Sequence, residues 1–100
     1  MIKIINLDME NLPFDEKFLS KNVSIRHFDK NVKTDEMTWH RDHENRIIEP
    51  LDENDWMFQL DNELPISIDK KILIPKDVYH RGIKGTTDLI IKVTRLKDDN

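Results

Sequence analysis

Three side chains in this sequence could act together on one substrate: His40, Asp42 and His80. His40 and Asp42 fall within Met37–Asp42, a stretch that reads as a strand. Side chains alternate along a strand, so both point to the same face. An imidazole and a carboxylate so placed can grip one metal ion. His80 comes at the end of Pro75-Lys76-Asp77-Val78-Tyr79-His80, where the chain turns and enters a new strand. If the two segments face each other, two histidines and one carboxylate form a facial triad with positions left open for water, substrate or dioxygen. This mixed nitrogen and oxygen set suits Fe(II), Mn(II), Ni(II) or Zn(II). The competing reading of His40 and Asp42 taken alone is a plain hydrogen-bonded pair, the commoner fate of such a spacing.

Two further residues are candidates for holding a ligand. Arg46 shares the face of His40 and Asp42 if the strand continues through His43–Asn45. Its guanidinium can hold a carboxylate or phosphate by two parallel hydrogen bonds. A salt bridge to Asp42 or Glu44 is an equal alternative. Gln59 sits between Phe58 and Leu60 and can both donate and accept. It either lines the cavity or faces solvent opposite a core formed by Trp56, Phe58 and Leu60. His43 points away from Asp42 and reads as a solvated histidine. His27 alternates with Val23 and Ile25 and reads as partly buried and structural. Tyr79 and Arg81 flank His80 on the outer face. Lys92, amid Leu89–Val93, reads as a side chain that snorkels to solvent.

The elements that must position these groups are short strands. Met1–Leu7 and Val23–Phe28 read as strands, and Asp15 to Ser20 as one or two helical turns with Asp15 as N-cap. Asp29 to Glu36 reads as a loop. Beyond it, Met37–Asp42, Arg46–Leu51, Trp56–Leu60, Pro65–Ile68, Ile72–Ile74, Tyr79–Ile83 and Asp88–Leu96 alternate with turns rich in Asp, Asn, Pro and Gly. Many short strands at near-regular spacing predict an all-β sandwich or barrel.

The 100 residues predict one domain, with residues 1–33 as an N-terminal extension and residues 34–96 carrying the barrel. Hydrophobic residues at 37% against 36% charged make a thin core, which favours a homodimer in which a second subunit covers apolar strands. The net charge of −4 and the scattered basic residues argue against nucleic acid as a partner. With no cysteine, disulfides, zinc–thiolate sites and cysteine nucleophiles are excluded. No stretch has the length of a membrane span, and Met1–Leu7 lacks the pattern of a signal peptide, so a cytoplasmic location is expected.

From about Thr34 to Leu96 the chain resembles a cupin. The first cupin motif has a His-x-His pair followed by an acidic ligand, and His40-Arg41-Asp42 stands at the pair. The second motif is Pro-x-Gly-x-x-His, matched in spacing by Pro75-Lys76-Asp77-Val78-Tyr79-His80. The resemblance implies a small double-stranded β-helix barrel with a divalent metal held by His40, Asp42 and His80. The chain departs from the pattern where the second histidine is Asp42, where the glutamate position falls on Arg46 or Ile47, and where Thr34, Asp69 and Asp77 replace glycines. Two histidines and one carboxylate resemble the triad of iron- and 2-oxoglutarate-dependent dioxygenases, although the chain is short for that class.

Three functions are compatible with these residues. The first is a metal-dependent enzyme of oxygenase or isomerase type acting on a small molecule. The second is a non-catalytic barrel that captures a small anionic ligand, sugar- or nucleotide-like, through His40, Arg46, Gln59 and His80. The third is an interaction scaffold that uses the outer face.

Overall fold

Alternation of apolar residues along Leu89–Leu96 dictates the centre of the fold. Leu89, Ile91 and Val93 are buried, while Ile90, Lys92 and Thr94 face the other way. In the computed structural model, which describes residues 13–32 and 38–97, this strand is β8 and pairs on both edges. The other strands are β1 (Asp15–Phe18), β2 (Val23–Phe28), β3 (Asn45–Pro50), β4 (Met57–Leu60), β5 (Ile66–Ser67), β6 (Ile72–Ile74) and β7 (His80–Ile83). One antiparallel sheet runs β1-β2-β8-β3-β6 and a second runs β5-β4-β7. No helix occurs among the described residues, and so none there is long and apolar enough to cross a membrane.

The core lies between the two sheets. Ile48, Ile72, Ile74, Ile91 and Val93 come from the larger sheet, and Trp56, Phe58 and Ile68 from the smaller sheet and its flanks. Phe28 packs on Trp56 with ring centroids 5.6 Å apart, and Phe14 packs on Phe28 at 5.1 Å. Trp56 is 1% exposed, and its indole N–H donates to the Thr87 carbonyl, so its polar edge is satisfied inside the core.

The strand predictions from Val23 onward hold with shifts of a residue or two at the ends, except at Met37–Asp42. Three expectations fail. Asp15–Phe18 is an edge strand, not a helical turn: it pairs with β2 in the register Glu16↔Arg26 and Phe18↔Ser24. The paired register lets Glu16 accept from Ser24 Oγ at 2.6 Å, Arg26 Nε at 2.9 Å and Arg95 Nη2 at 2.9 Å. A helix could not offer that carboxylate to three distant donors. His27 is not a partly buried structural histidine. The inward face of β2 is Ser24, Arg26 and Phe28, and His27 lies outside, exposed, 2.9 Å from Asp88 Oδ2. Met37–Asp42 is not a full strand over its described part: only His40 forms a β-bridge. The strand expected at Met1–Leu7 lies outside the described residues. Lys92 does reach outward, 3.6 Å from Glu49.

Burial pushes the Glu16 carboxyl up, but hydrogen bonds from Ser24, Arg26 and Arg95 outweigh it and hold the group below its ordinary 4.5. A depressed folded-state value means stabilisation that is present above about pH 4.5 and lost as the pH falls. Glu16→Gln is therefore expected to lower stability by about 1–2 kcal/mol at neutral pH. In urea titrations the gap between variant and wild type should narrow below pH 4.5. A gap that stays constant down to pH 3 would contradict the ionic role. A second expectation concerns Gly85, where an added Cβ would lie 2.7 Å from the Asp55 backbone. Gly85→Ala should cost about 1–3 kcal/mol in the same measurement.

Candidate metal centre

His40 and His80 meet through their backbones. His40 N–H donates to the His80 carbonyl at 3.0 Å, and His80 N–H donates back at 2.8 Å. A reciprocal pair of this kind fixes the two Cα atoms opposite each other with side chains on one face. The rings consequently lie edge to face with centroids 4.4 Å apart. Asp42 follows on the same face. Its carbonyl accepts from Asp77 N–H at 2.7 Å, which ties the first motif to the turn before β7. Candidate ligand atoms from His40, Asp42 and His80 all lie within 4.8 Å of one another. Two ligands at about 2.2 Å from one ion can stand at most about 4.4 Å apart. Small side-chain adjustments suffice to close the set.

The hydrogen bonds around the rings decide which nitrogen is available. His80 Nδ1 lies 2.9 Å from the Val78 carbonyl, and His40 Nδ1 lies 3.1 Å from the Thr38 carbonyl. A carbonyl oxygen only accepts, so each Nδ1 carries the proton in these contacts. In the neutral ring, each Nε2 then keeps its lone pair for an electrophile. This is the arrangement that metal-ligating histidines use to fix their tautomer. Asp42 Oδ2 is buried without a hydrogen-bond partner, although His80 Nε2 lies 3.3 Å away. Its other oxygen is 3.4 Å from Arg46 Nη1. Burial raises the Asp42 carboxyl, but with a proton on His80 Nε2 the hydrogen bond from His80 and the charge of Arg46 outweigh that effect and hold it below its ordinary range; a metal ion would take the place of that proton. The donor set therefore fits a divalent cation: one ionised carboxylate with a spare buried oxygen, and two oriented imidazole lone pairs.

The triad opens on a cavity of about 260 Å³ between the sheets. Phe28, Trp56, Phe58 and Ile91 form apolar walls, and Thr38, Arg26 and Arg46 bring polar groups to it. Arg46 does line the cavity, although the strand is broken between His40 and Asn45 and alternation across that gap is not what places it, and it makes both expected ion pairs, with Asp42 and through Nε with Glu44. Gln59 is not brought to the cavity. It stands opposite Arg81 on the outer face of β4, accepts from Arg81 Nε at 2.9 Å and donates to the Glu63 carbonyl at 2.9 Å. The alternation that buries Phe58 turns Gln59 outward. His43 is exposed beside Asp77. Tyr79 and Arg81 do lie outside, where Arg41 covers the Tyr79 ring and Arg81 the Trp39 ring. Arg26 was missed as a cavity residue, although alternation with Phe28 carried the signal.

No known family profile matches this sequence, and no curated protein matches it. Solved structures do match. A conserved protein of unknown function from Streptococcus pyogenes superposes with a TM-score of 0.62 at 11% identity, covering 87% of this chain and 75% of that one. A cupin domain from Bordetella pertussis gives 0.57 at 12% identity, covering 84% and 92%. A cupin-2 domain protein from Shewanella frigidimarina gives 0.55 at 11% identity, covering 91% and 88%. The fold is a cupin fold. At these identities the likeness speaks for the architecture, and the chemistry of the site must be argued from its own residues.

One departure from the cupin motif has a structural explanation. Asp77, at the position of a motif glycine, has φ of 63°, in the left-handed region. Glycine reaches that region without penalty, and Asp tolerates it better than most residues do. The turn that presents His80 is thus kept although the glycine is gone. Asp77→Gly is expected to be neutral or to stabilise by up to about 1 kcal/mol, and Asp77→Val to destabilise by about 1–2 kcal/mol. Thermal melts of the two variants check this; equal melting points would contradict it.

Proposed function

We propose that this cupin-fold protein binds a divalent metal through His40, Asp42 and His80, and that the loaded site serves a small-molecule reaction of oxygenase or isomerase type. The observation that carries the reading is the convergence of ligand atoms from His40, Asp42 and His80 within 4.8 Å of one another, with the buried Asp42 Oδ2 held only by a long 3.3 Å contact to His80 Nε2. A buried unpaired carboxylate oxygen costs stability unless something cationic completes it. Bound there, a divalent ion would supply Lewis-acid polarisation of a substrate oxygen at its open positions.

The chain's own residues supply the rest. The carbonyls of Thr38 and Val78 hold the two imidazoles in the ligating tautomer. Arg46 keeps the Asp42 carboxylate ionised and oriented through its other oxygen. Phe28, Trp56 and Phe58 give the substrate an apolar wall that excludes water. Low local polarity strengthens each charge contact at the polar end of the cavity.

Elemental analysis of protein purified without tag or chelator tests the reading. Near-stoichiometric metal is expected in the wild type and loss of it in the His40→Ala/His80→Ala double variant. Zn(II) at about a hundred times its dissociation constant should raise wild-type stability by about 2.7 kcal/mol. The double variant should not respond. No bound metal in the wild type, even after anaerobic loading with Fe(II), would overturn the proposal.

A further inference from the structure

The metal triad occupies one part of the cavity, and another part of the wall carries a cation that the triad does not use. Arg26 projects inward from β2, and its side chain is 17% exposed. Its guanidinium lies over the Phe14 ring, 4.2 Å from the centroid, which fixes the plane of the group. Nε donates to Glu16 at 2.9 Å. The two Nη nitrogens have no hydrogen-bond partner among the described residues.

The neighbouring arginines differ. Arg95 gives Nη1 to Ser24 at 3.1 Å and Nη2 to Glu16 at 2.9 Å. Arg46 gives Nε to Glu44 and holds Nη1 3.4 Å from Asp42. Arg26 alone of the three keeps both Nη groups unused at the cavity wall. These Nη groups keep some accessible surface and are therefore open to an incoming acceptor. An end-on pair of Nη groups matches the two oxygens of a carboxylate.

Charge points the same way. Arg26, Arg46 and Arg95 are balanced by Glu16, Asp42 and Glu44. A divalent ion in the triad would leave this set with two surplus positive charges, one of which a carboxylate offsets. Size sets the rest. A cavity of about 260 Å³ holds the volume of about nine waters. Its aromatic walls favour a flat apolar body.

We propose that Arg26 anchors the carboxylate of a small, largely apolar organic acid, whose other end reaches the His40–Asp42–His80 triad. The second clause rests on the metal reading; the first does not.

Benzoate and its neutral isostere benzamide are suitable probes, titrated by two-dimensional NMR into metal-free and Zn(II)-supplied protein. Benzoate is expected to bind the wild type at least tenfold more tightly than benzamide, and more tightly still with Zn(II). Arg26→Gln should abolish that preference. Arg26→Lys keeps a charge beside Glu16, lacks the fork, and should weaken benzoate at least fivefold; it decides the matter if Arg26→Gln does not fold. The His40→Ala/His80→Ala variant should retain the preference for benzoate while losing the effect of Zn(II). Three results would each overturn the proposal: equal binding of the two probes, no benzoate binding in either metal state, or benzoate affinity within twofold of wild type in Arg26→Lys. Arg26-dependent benzoate binding in a protein that takes up no metal would sink the metal reading and leave the anchor standing. Stoichiometric metal with Arg26-independent binding would do the reverse.

Discussion

Everything at the candidate centre depends on one pair of backbone hydrogen bonds, those exchanged by His40 and His80. They join a segment that is otherwise not strand to the edge of β7. They set two imidazoles edge to face on one side, and by alternation they send Trp39, Arg41, Tyr79 and Arg81 to the outer side. Each ring is then locked by a carbonyl two residues before it in sequence. The tilt of each imidazole is thus set by a carbonyl close to it in sequence, while their meeting depends on the non-local pairing. Asp42 is different. Its place depends on the Asp77 turn and on Arg46, so the carboxylate is the member of the triad most exposed to changes elsewhere.

The inner face of the larger sheet explains why a thin apolar core suffices. Ile48, Ile72, Ile74, Ile91 and Val93 meet Trp56 and Phe58 in the middle of the sandwich. Toward one end the same strands carry Glu16, Ser24, Arg26, Arg46 and Arg95 in place of apolar residues. Buried polar groups cost stability unless their hydrogen bonds are made, and here most are made by neighbours on adjacent strands. Among the described residues, two incompletely satisfied groups stand out: Asp42 Oδ2, with only a long contact to His80, and the Nη pair of Arg26. Both line one cavity, and their chemistry is complementary: one would complete a cation, the other an anion.

The strands from β2 to β8 were legible because each pairs alternation with turn residues at its ends, as Leu89–Leu96 and Met57–Leu60 show. The triad was legible in part: Pro75–His80 has the spacing of a known turn, while His40 and Asp42 share a face although the chain there is not strand beyond the His40 bridge. What the sequence hid was non-local. Asp15–Phe18 has a residue suited to capping and apolar Phe18 beyond it, and only the three donors around Glu16 make it a strand. His27 alternates with Val23 and Ile25 as convincingly as Arg26 does with Phe28. The choice of inward face was made by Glu16 and Arg95, residues far away in sequence. Gln59 turned outward because the same alternation that buries Phe58 leaves it no other side.

The neutral polar wall also constrains how this protein can change over generations. Glu16 serves Ser24, Arg26 and Arg95 at once, so its loss strands two guanidiniums inside the sandwich. Loss of Arg95 alone still leaves Glu16 its bond to Arg26. Substitutions at this wall are therefore unequal: loss of the shared carboxylate disturbs three partners on two strands, whereas loss of either arginine leaves Glu16 bonded to the other and to Ser24.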